Sequence, residues 1–197
     1  MGENRIFCLM GKSAAGKDTL YQRLLADHSL GLRPVIPCTT RPMREGEQDG
    51  REYFFRTAAQ FEEARQQGRV IESRCYQTVH GPWIYYTADD GQIDLEAGST
   101  LLIGTPESCA ALRRHFGAQA VVPLCIHVED GERLERALRR ERAQKTPKYA
   151  EMCRRFLADE KDFAPDRLAE AGVTRQFENI DEEQCLEELR RAIAGED

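Results

Sequence analysis

The first residues with chemical promise are Met10–Leu20, which read MGKSAAGKDTL. Gly11, Gly16 and Lys17 fit the spacing of a phosphate-binding loop: Gly, four residues, Gly, Lys, then Ser or Thr. Glycines at those positions let backbone N–H groups converge on an anion. The helix that follows adds its positive end, and the lysine adds a point charge. Position 18, however, is Asp18 and not a hydroxyl. A carboxylate aimed at phosphates repels them. Either the loop holds no phosphate, or Asp18 holds something positive between itself and the phosphates. The competing reading is a tight strand-to-helix turn with a surface lysine.

A second constellation is Thr39–Phe55, TTRPMREGEQDGREYFF. Arg41 and Arg44 lie three apart across Pro42, and each offers a planar fork of donors suited to a phosphate dianion. Tyr53 adds a hydroxyl. Taken alone, this stretch reads either as a phosphate clamp or as a solvated charged loop. A third is the arginine run at 133, 136, 139, 140, 142, 154 and 155, interleaved with Glu132, Glu135 and Glu141. On helices such a run is usually a solvated face.

These groups must be positioned by the elements around them. Arg5–Met10 reads as a strand, and Lys17–Asp27 as a helix with Leu20, Leu24 and Leu25 on one face. Arg33–Cys38 is a second strand interrupted by prolines. Thr57–Gln60 is a capping box that opens a helix stopping at Gly68. Glu52–Arg56, Arg69–Tyr76 and Trp83–Thr87 read as strands, and Asp89–Ala97 as a short helix. Thr100–Thr105 and Ala120–Val128 are apolar strands, with a helix from Pro106 to near Gly117 between them. Asp130 is placed to cap a helix beginning at Glu132. Two arginine-rich helices are split near Thr146–Pro147. Val173–Glu178 is a last strand, and Asp181–Ile193 a closing amphipathic helix. Strands alternating with helices imply a parallel sheet covered on both faces. The strand-rich segment 39–87 breaks that alternation and reads as a smaller lobe.

The composition bounds the function. With 197 residues, 41% hydrophobic and 31% charged, the chain suits one soluble domain. A net charge of -6 argues against a general nucleic-acid coat. No apolar run approaches the roughly 20 residues needed to span a bilayer, and MGENRIFCLM lacks a signal peptide's apolar core. Seven scattered cysteines, an odd number with no C-x-x-C, read as reduced thiols of a cytoplasmic protein. The histidines at 28, 80, 115 and 127 show no metal-ligand spacing with the cysteines and read as surface or core residues.

The loop and the string T-T-R-x-x-R-x-G-E-x-x-G-x-x-Y-x-F, with their spacing, resemble guanylate kinase, densely over residues 5–87 and more loosely beyond. The resemblance implies an α/β P-loop kinase fold in three layers. A parallel core (about 1–38, 98–130 and 160–197) would carry a monophosphate-binding lobe (about 39–97) and a helical lid (about 131–159). It implies transfer of the ATP γ-phosphoryl group to GMP or dGMP with Mg²⁺, by a monomer or homodimer without nucleic-acid or membrane partners. Carried over by position, Gly11, Lys12, Ser13, Ala14, Ala15, Gly16, Lys17, Asp18 and Thr19 would hold ATP, with Asn179 at the adenine. Arg41, Arg44 and Tyr53 would bind the GMP phosphate. Glu72 would read guanine, since one carboxylate can accept both N1–H and N2–H₂. Tyr85 and Thr87 would add contacts to phosphate and base. Lys17 with the lid arginines Arg139, Arg142 and Arg155, or Arg154 in place of the last, would stabilise the transferring group.

The pattern departs from the family in three places. The family's Asp-x-Asp at the end of the central strand is replaced by Leu102–Pro106, LIGTP. Its guanine-side serine aligns with Pro37 or Cys38. Asp18 stands for the loop hydroxyl. Together these suggest that negative charge has moved, with Asp18 on Mg²⁺ directly or through water and Thr105 or Thr19 completing the shell. Otherwise Asp18 serves the helix N-terminus, where a carboxylate is welcome. Two other readings keep the fold. One is a ribose 1,5-bisphosphate phosphokinase-like enzyme, whose loop also resembles G-K-D-S. The other is a non-catalytic guanylate kinase-like binding module, against which Lys17 and the lid arginines argue.

Overall fold

The computed structural model describes residues 3–44, 46–78 and 81–196. Of Val79–Ile84, an insertion relative to the resembled pattern, Val79 and His80 lie outside the described residues. The strands are β1 (Ile6–Gly11), β2 (Arg33–Pro34), β3 (Cys38–Thr39), β4 (Phe54–Phe55), β5 (Val70–Thr78), β6 (Gly81–Ala88), β7 (Thr100–Ile103), β8 (Val121–His127) and β9 (Gln176–Glu178). The helices are α1 (Lys17–Ala26), α2 (Ala58–Gln66), α3 (Pro106–Phe116), α4 (Asp130–Arg142), α5 (Tyr149–Asp162), α6 (Pro165–Glu170) and α7 (Glu182–Ala194).

The central sheet is parallel throughout, in the order β2-β7-β1-β8-β9. β1 is wholly buried, and the period of two in a strand sends its side chains to two cores. Phe7 and Leu9 pack with Leu20 and Leu24 of α1 and Leu186 and Leu189 of α7. Ile6, Cys8 and Met10 pack with Cys109 and Leu112 of α3 on the other face. Helices on both faces of a parallel sheet give the expected three layers.

A second, four-stranded sheet has the order β4-β3-β6-β5. The expected strand Arg33–Cys38 is in fact two pieces. Pro34 and Pro37 bracket the crossing, so β2 joins the central sheet and β3 the smaller one. α2 covers the smaller sheet with Phe61 and opens with the expected box: Thr57 accepts from the Gln60 N–H, and Gln60 Oε1 accepts from the Thr57 N–H.

Two other expectations change. Residues 89–97 form turns, not a helix. Gln92 there bonds both the N–H and the carbonyl of Ile36, while Ile93 and Leu95 pack on the core. α4 begins at Asp130, capped by the Glu129 carboxylate and not by Asp130. α6, with Pro165 in its first turn, was not anticipated. Among the described residues no helix is long and apolar enough to cross a membrane.

Candidate nucleotide-binding site

The loop Gly11–Lys17 leaves the carboxyl end of β1, where ligands of open α/β sheets bind. Its shape depends on two glycines. Gly16 holds φ 84° as the N-cap of α1, and a Cβ there would run into Asn179 Nδ2. At Gly11 a Cβ would lie 3.1 Å from the Ile126 carbonyl oxygen on β8. Ala14, at φ 63°, is the one non-glycine among the described residues with positive φ.

Asn179 is buried behind this loop. Its Nδ2 donates to the Ala15 carbonyl at 2.8 Å, and its backbone carbonyl accepts from Arg136 Nη2 at 3.0 Å. Asn179 thus braces the loop, and its side chain lines neither cleft described below. Lys12 and Ser13 are likewise engaged from the lid side. Lys12 Nζ meets Glu160 at 2.5 Å, and the Ser13 N–H donates to Asp159 at 2.7 Å. Arg133, 1% exposed, ties these together. It reaches Asp130, Asp159 and the Ser13 carbonyl, and its guanidinium lies over the Phe156 ring.

Two clefts meet at Lys17. The first, of about 260 Å³, is lined by Ser13, Ala14, Gly16–Thr19, Arg136, Arg140 and Arg155. The second, of about 190 Å³, has Gly11 and Lys17 on one side, Tyr76 of β5 and Thr105 on another, and Arg154, Asp159 and Asp162 on α5. Burial, with the Asp159 and Glu107 carboxylates nearby, holds the Asp162 carboxyl above its usual range. Arg155 lines both clefts and lies 3.7 Å from Glu141. Arg139 and Arg142 are exposed and line neither. The reason is helical phase. At about 3.6 residues per turn, Arg136 and Arg140 share the loop-facing side of α4 with Arg133, whereas Arg142, nine positions on, faces the opposite way.

Asp18 sits in the first turn of α1, and its side chain is 78% exposed at 3.8 Å from Lys17 Nζ. It makes no capping hydrogen bond. Thr19 beside it is exposed too. Thr105 is engaged elsewhere, accepting from Ser108 N–H as the cap of α3 and from Arg74 Nη1 at 3.2 Å. Gly104 leaves no room for the missing strand-end carboxylate, since a Cβ there would fall 2.6 Å from Cys8 Sγ. No group of three or more His, Cys, Asp or Glu able to hold a metal occurs among the described residues.

The smaller sheet joins most of the expected acceptor residues in one line of contacts. The Arg41 guanidinium is buried against the Tyr53 and Phe55 rings, 5.1 and 5.3 Å from their centroids. It is held by Glu47 through two hydrogen bonds of 2.7 and 2.5 Å. That bond to Arg41, with the Arg44 N–H, pulls the Glu47 carboxyl down to about 2. Tyr53 meets Tyr85 edge-on at 5.6 Å. Tyr85 is the cross-strand partner of Arg74, and Thr87 that of Glu72. Thr87 Oγ1 donates to Glu72 Oε1 at 2.8 Å. Arg44 remains exposed, with its backbone N–H on Glu47.

Cys38 faces the wrong way. It pairs with Tyr86, one step along β6 from Tyr85, and lies with Phe61 in the small core under α2. Burial pushes its thiol pKa up. Thr39, on the site face, uses its hydroxyl on the Ile84 carbonyl.

The residues matching the guanylate kinase family model are 3–82. Guanylate kinases of Rhodopseudomonas palustris and Cupriavidus pinatubonensis are 40% and 45% identical over 82 and 76 residues, 39% of this chain in both cases. That of Neisseria gonorrhoeae is 40% identical over 89 residues, 45% of this chain. The match spans 37%, 33% and 41% of these relatives' own lengths, well under half. The crystal structure of guanylate kinase from Anaplasma phagocytophilum covers all of this chain and 88% of its own, at TM-score 0.68 and 19% identity. Residues 3–82 match the guanylate kinase family model, and the whole chain has the fold of the Anaplasma guanylate kinase structure.

The matched segment ends before the lid. Arg139, Arg142 and Asn179 all lie beyond residue 82, where positions were matched with little local pattern. Arg136, Arg140 and Arg133 were visible as arginines, and helical phase from Arg133 would have separated them from Arg139 and Arg142. Arg74 had no sequence signal except alternation on β5, which puts it on the same face as Glu72 and Tyr76.

Proposed function

We propose that the chain transfers the γ-phosphoryl group of ATP to GMP or dGMP, giving ADP and the nucleoside diphosphate. An acceptor phosphate oxygen attacks the γ-phosphorus as the bond to the ADP oxygen breaks, so no protein nucleophile is needed. The observation that carries this reading is the second cleft. Its walls bring the family's loop lysine, Lys17, within one cavity of β5, the strand that bears Glu72. Gly16 and Lys17 would cradle the donor phosphates. Arg41, Arg44 and Tyr53 would hold the acceptor phosphate. Arg136, Arg140 and Arg155 would neutralise the charge that spreads over the transferred group.

Mg²⁺ fits this site as an ion held mainly by phosphates and water. Mg²⁺ binds through one or two carboxylates and keeps several waters. Asp18 offers one exposed carboxylate on the cleft rim, uncommitted to capping, with the Thr19 hydroxyl beside it. The cation would offset the repulsion between Asp18 and the phosphates and polarise the transferring group. Seven free cysteines agree with a cytoplasmic setting.

A coupled ADP-release assay over GMP, dGMP, AMP, UMP, CMP and ribose 1,5-bisphosphate tests the acceptor. GMP or dGMP should dominate. Turnover of the sugar bisphosphate alone defeats the proposal, as does failure to bind ATP, which is the behaviour of a non-catalytic module. Glu72→Gln should weaken GMP by about 1–3 kcal/mol, the cost of leaving a donor facing a donor, while ATP affinity stays unchanged.

A further inference from the structure

Arg74 is the charged residue on the acceptor face that the expected family pattern does not supply. It sits two positions from Glu72 on β5, so both side chains project from the same face. Its Nε lies 3.3 Å from Glu72 Oε2, close enough to pair as charges. The two atoms are nevertheless not aligned as a hydrogen bond, and both are buried without a hydrogen-bond partner. Nη1 is anchored on Thr105 across the gap to the central sheet. Nη2 makes no hydrogen bond among the described residues, and 17% of the side chain remains exposed. The guanidinium is thus fixed by two of its nitrogens with donor capacity left over.

The surroundings sharpen the point. Two threonine donors on this face are committed: Thr39 to the Ile84 carbonyl and Thr87 to Glu72. Cys38, one of the two positions matched to the family's guanine-side serine, faces the small core instead. Glu72 and Arg74 together present an acceptor beside a donor. Guanine presents the complement on adjacent atoms, the N1–H beside the O6 carbonyl. Adenine in the same pose has an amine and a bare ring nitrogen there, so both contacts fail.

We infer that Arg74 is a specificity-determining residue that donates to the O6 carbonyl of the acceptor base while Glu72 accepts from N1–H. This deepens the GMP-kinase reading and rests on it. The hydroxyl lost at position 37 or 38 is replaced by a charged donor from β5, two strands away in the same sheet. A charge-assisted contact of this kind makes a base that lacks the acceptor bind about tenfold to a hundredfold more weakly.

The test compares GMP with 6-thio-GMP, which keeps N1–H and the 2-amino group but replaces the carbonyl by a poor sulfur acceptor. In the wild-type protein, titration should show GMP bound at least tenfold more tightly. In Arg74→Met the two nucleotides should bind within about twofold of each other, because GMP is weakened while 6-thio-GMP is not. ATP affinity and unfolding temperature monitor the fold. If the methionine variant does not hold ATP, Arg74→Lys takes its place and should shrink the ratio at least threefold. Equal binding in the wild type, or a ratio unchanged in a folded Arg74 variant, overturns the assignment. Wild-type turnover of GMP with an Arg74-independent ratio removes Arg74 alone, whereas absence of turnover with any nucleoside monophosphate removes the broader reading with it.

Discussion

The phosphate loop with the Arg41 loop, and the lid built from α4 and α5, are both rich in cations, yet they were legible to very different degrees. In the first region, function is carried by local backbone geometry. Gly16 must have positive φ and must let Asn179 approach. Arg41 is held by Glu47, six residues away, and by rings twelve and fourteen residues on. Spacing along the chain is then spacing in space. In the lid, seven arginines compete for one site, and helical phase and long-range packing choose among them. Arg133 is consumed by Asp130, Asp159 and the loop itself. Arg136 and Arg140 reach the cleft, and Arg139 and Arg142 do not.

The largest expected effect separates these lid residues. Arg140→Ala should lower kcat about tenfold to a hundredfold, with little change in the affinity of either substrate, because a cation facing the transferring group acts mainly in the transition state. Arg142→Ala should leave kcat within about twofold, as exposed surface substitutions usually do. Steady-state kinetics on the pair decides. The reverse order, with Arg142 the sensitive position, would restore the sequence match over the observed helical face.

The rest of the molecule divides along the same line. The central sheet could be read from apolar runs, and the cap of α2 from Thr57 and Gln60, because each depends on neighbours in sequence. The break between β2 and β3 was only half visible. Pro34 and Pro37 announced an interruption, but which sheet each half joins depends on pairing with β7 and β6, far along the chain. Residues 89–97 carry helix-like composition, yet Gln92 bonds the Ile36 backbone and that tertiary contact wins. Arg74 was missed because its meaning lies in what faces it: Glu72 beside it and Thr105 on the other sheet.

A middle-sized effect tests the residue that divides the phosphate loop from its usual form. Asp18 lies in the first turn of α1, so a helix-terminus role alone predicts only a modest stability loss for Asp18→Asn, about 1 kcal/mol or less. A role at Mg²⁺ predicts a roughly tenfold rise in the Mg²⁺ concentration for half-maximal activity, the scale on which groups around a metal act. Metal-free ATP should bind as well or better, since a repulsive charge has gone. A titration of activity against Mg²⁺, beside metal-free ATP binding, reads both. An unchanged Mg²⁺ dependence would defeat the ligand role and leave Asp18 as a surface carboxylate near a helix start.

The smallest effect bears on the Arg41 loop and on whether local pairing organises it. The Glu47 carboxyl stands at about 2 instead of its ordinary 4.5, chiefly through its bond to Arg41. A carboxyl whose folded pKa is depressed binds its proton more readily when unfolded. Unfolding therefore takes up a proton between the two values, and stability falls as pH drops. The contribution is whole above about pH 4.5 and is lost as pH falls toward about 2. Other carboxylates titrate in the same range, Asp130 beside Arg133 among them, so the total acid loss cannot isolate Glu47. The difference between wild type and Glu47→Gln can, because glutamine does not titrate. At neutral pH the variant should unfold at a slightly lower temperature, and the gap should close as pH falls through that window. If the gap is instead constant with pH, the Arg41–Glu47 pair contributes through packing alone. Arg41 would then be positioned by the Tyr53 and Phe55 rings and not by charge.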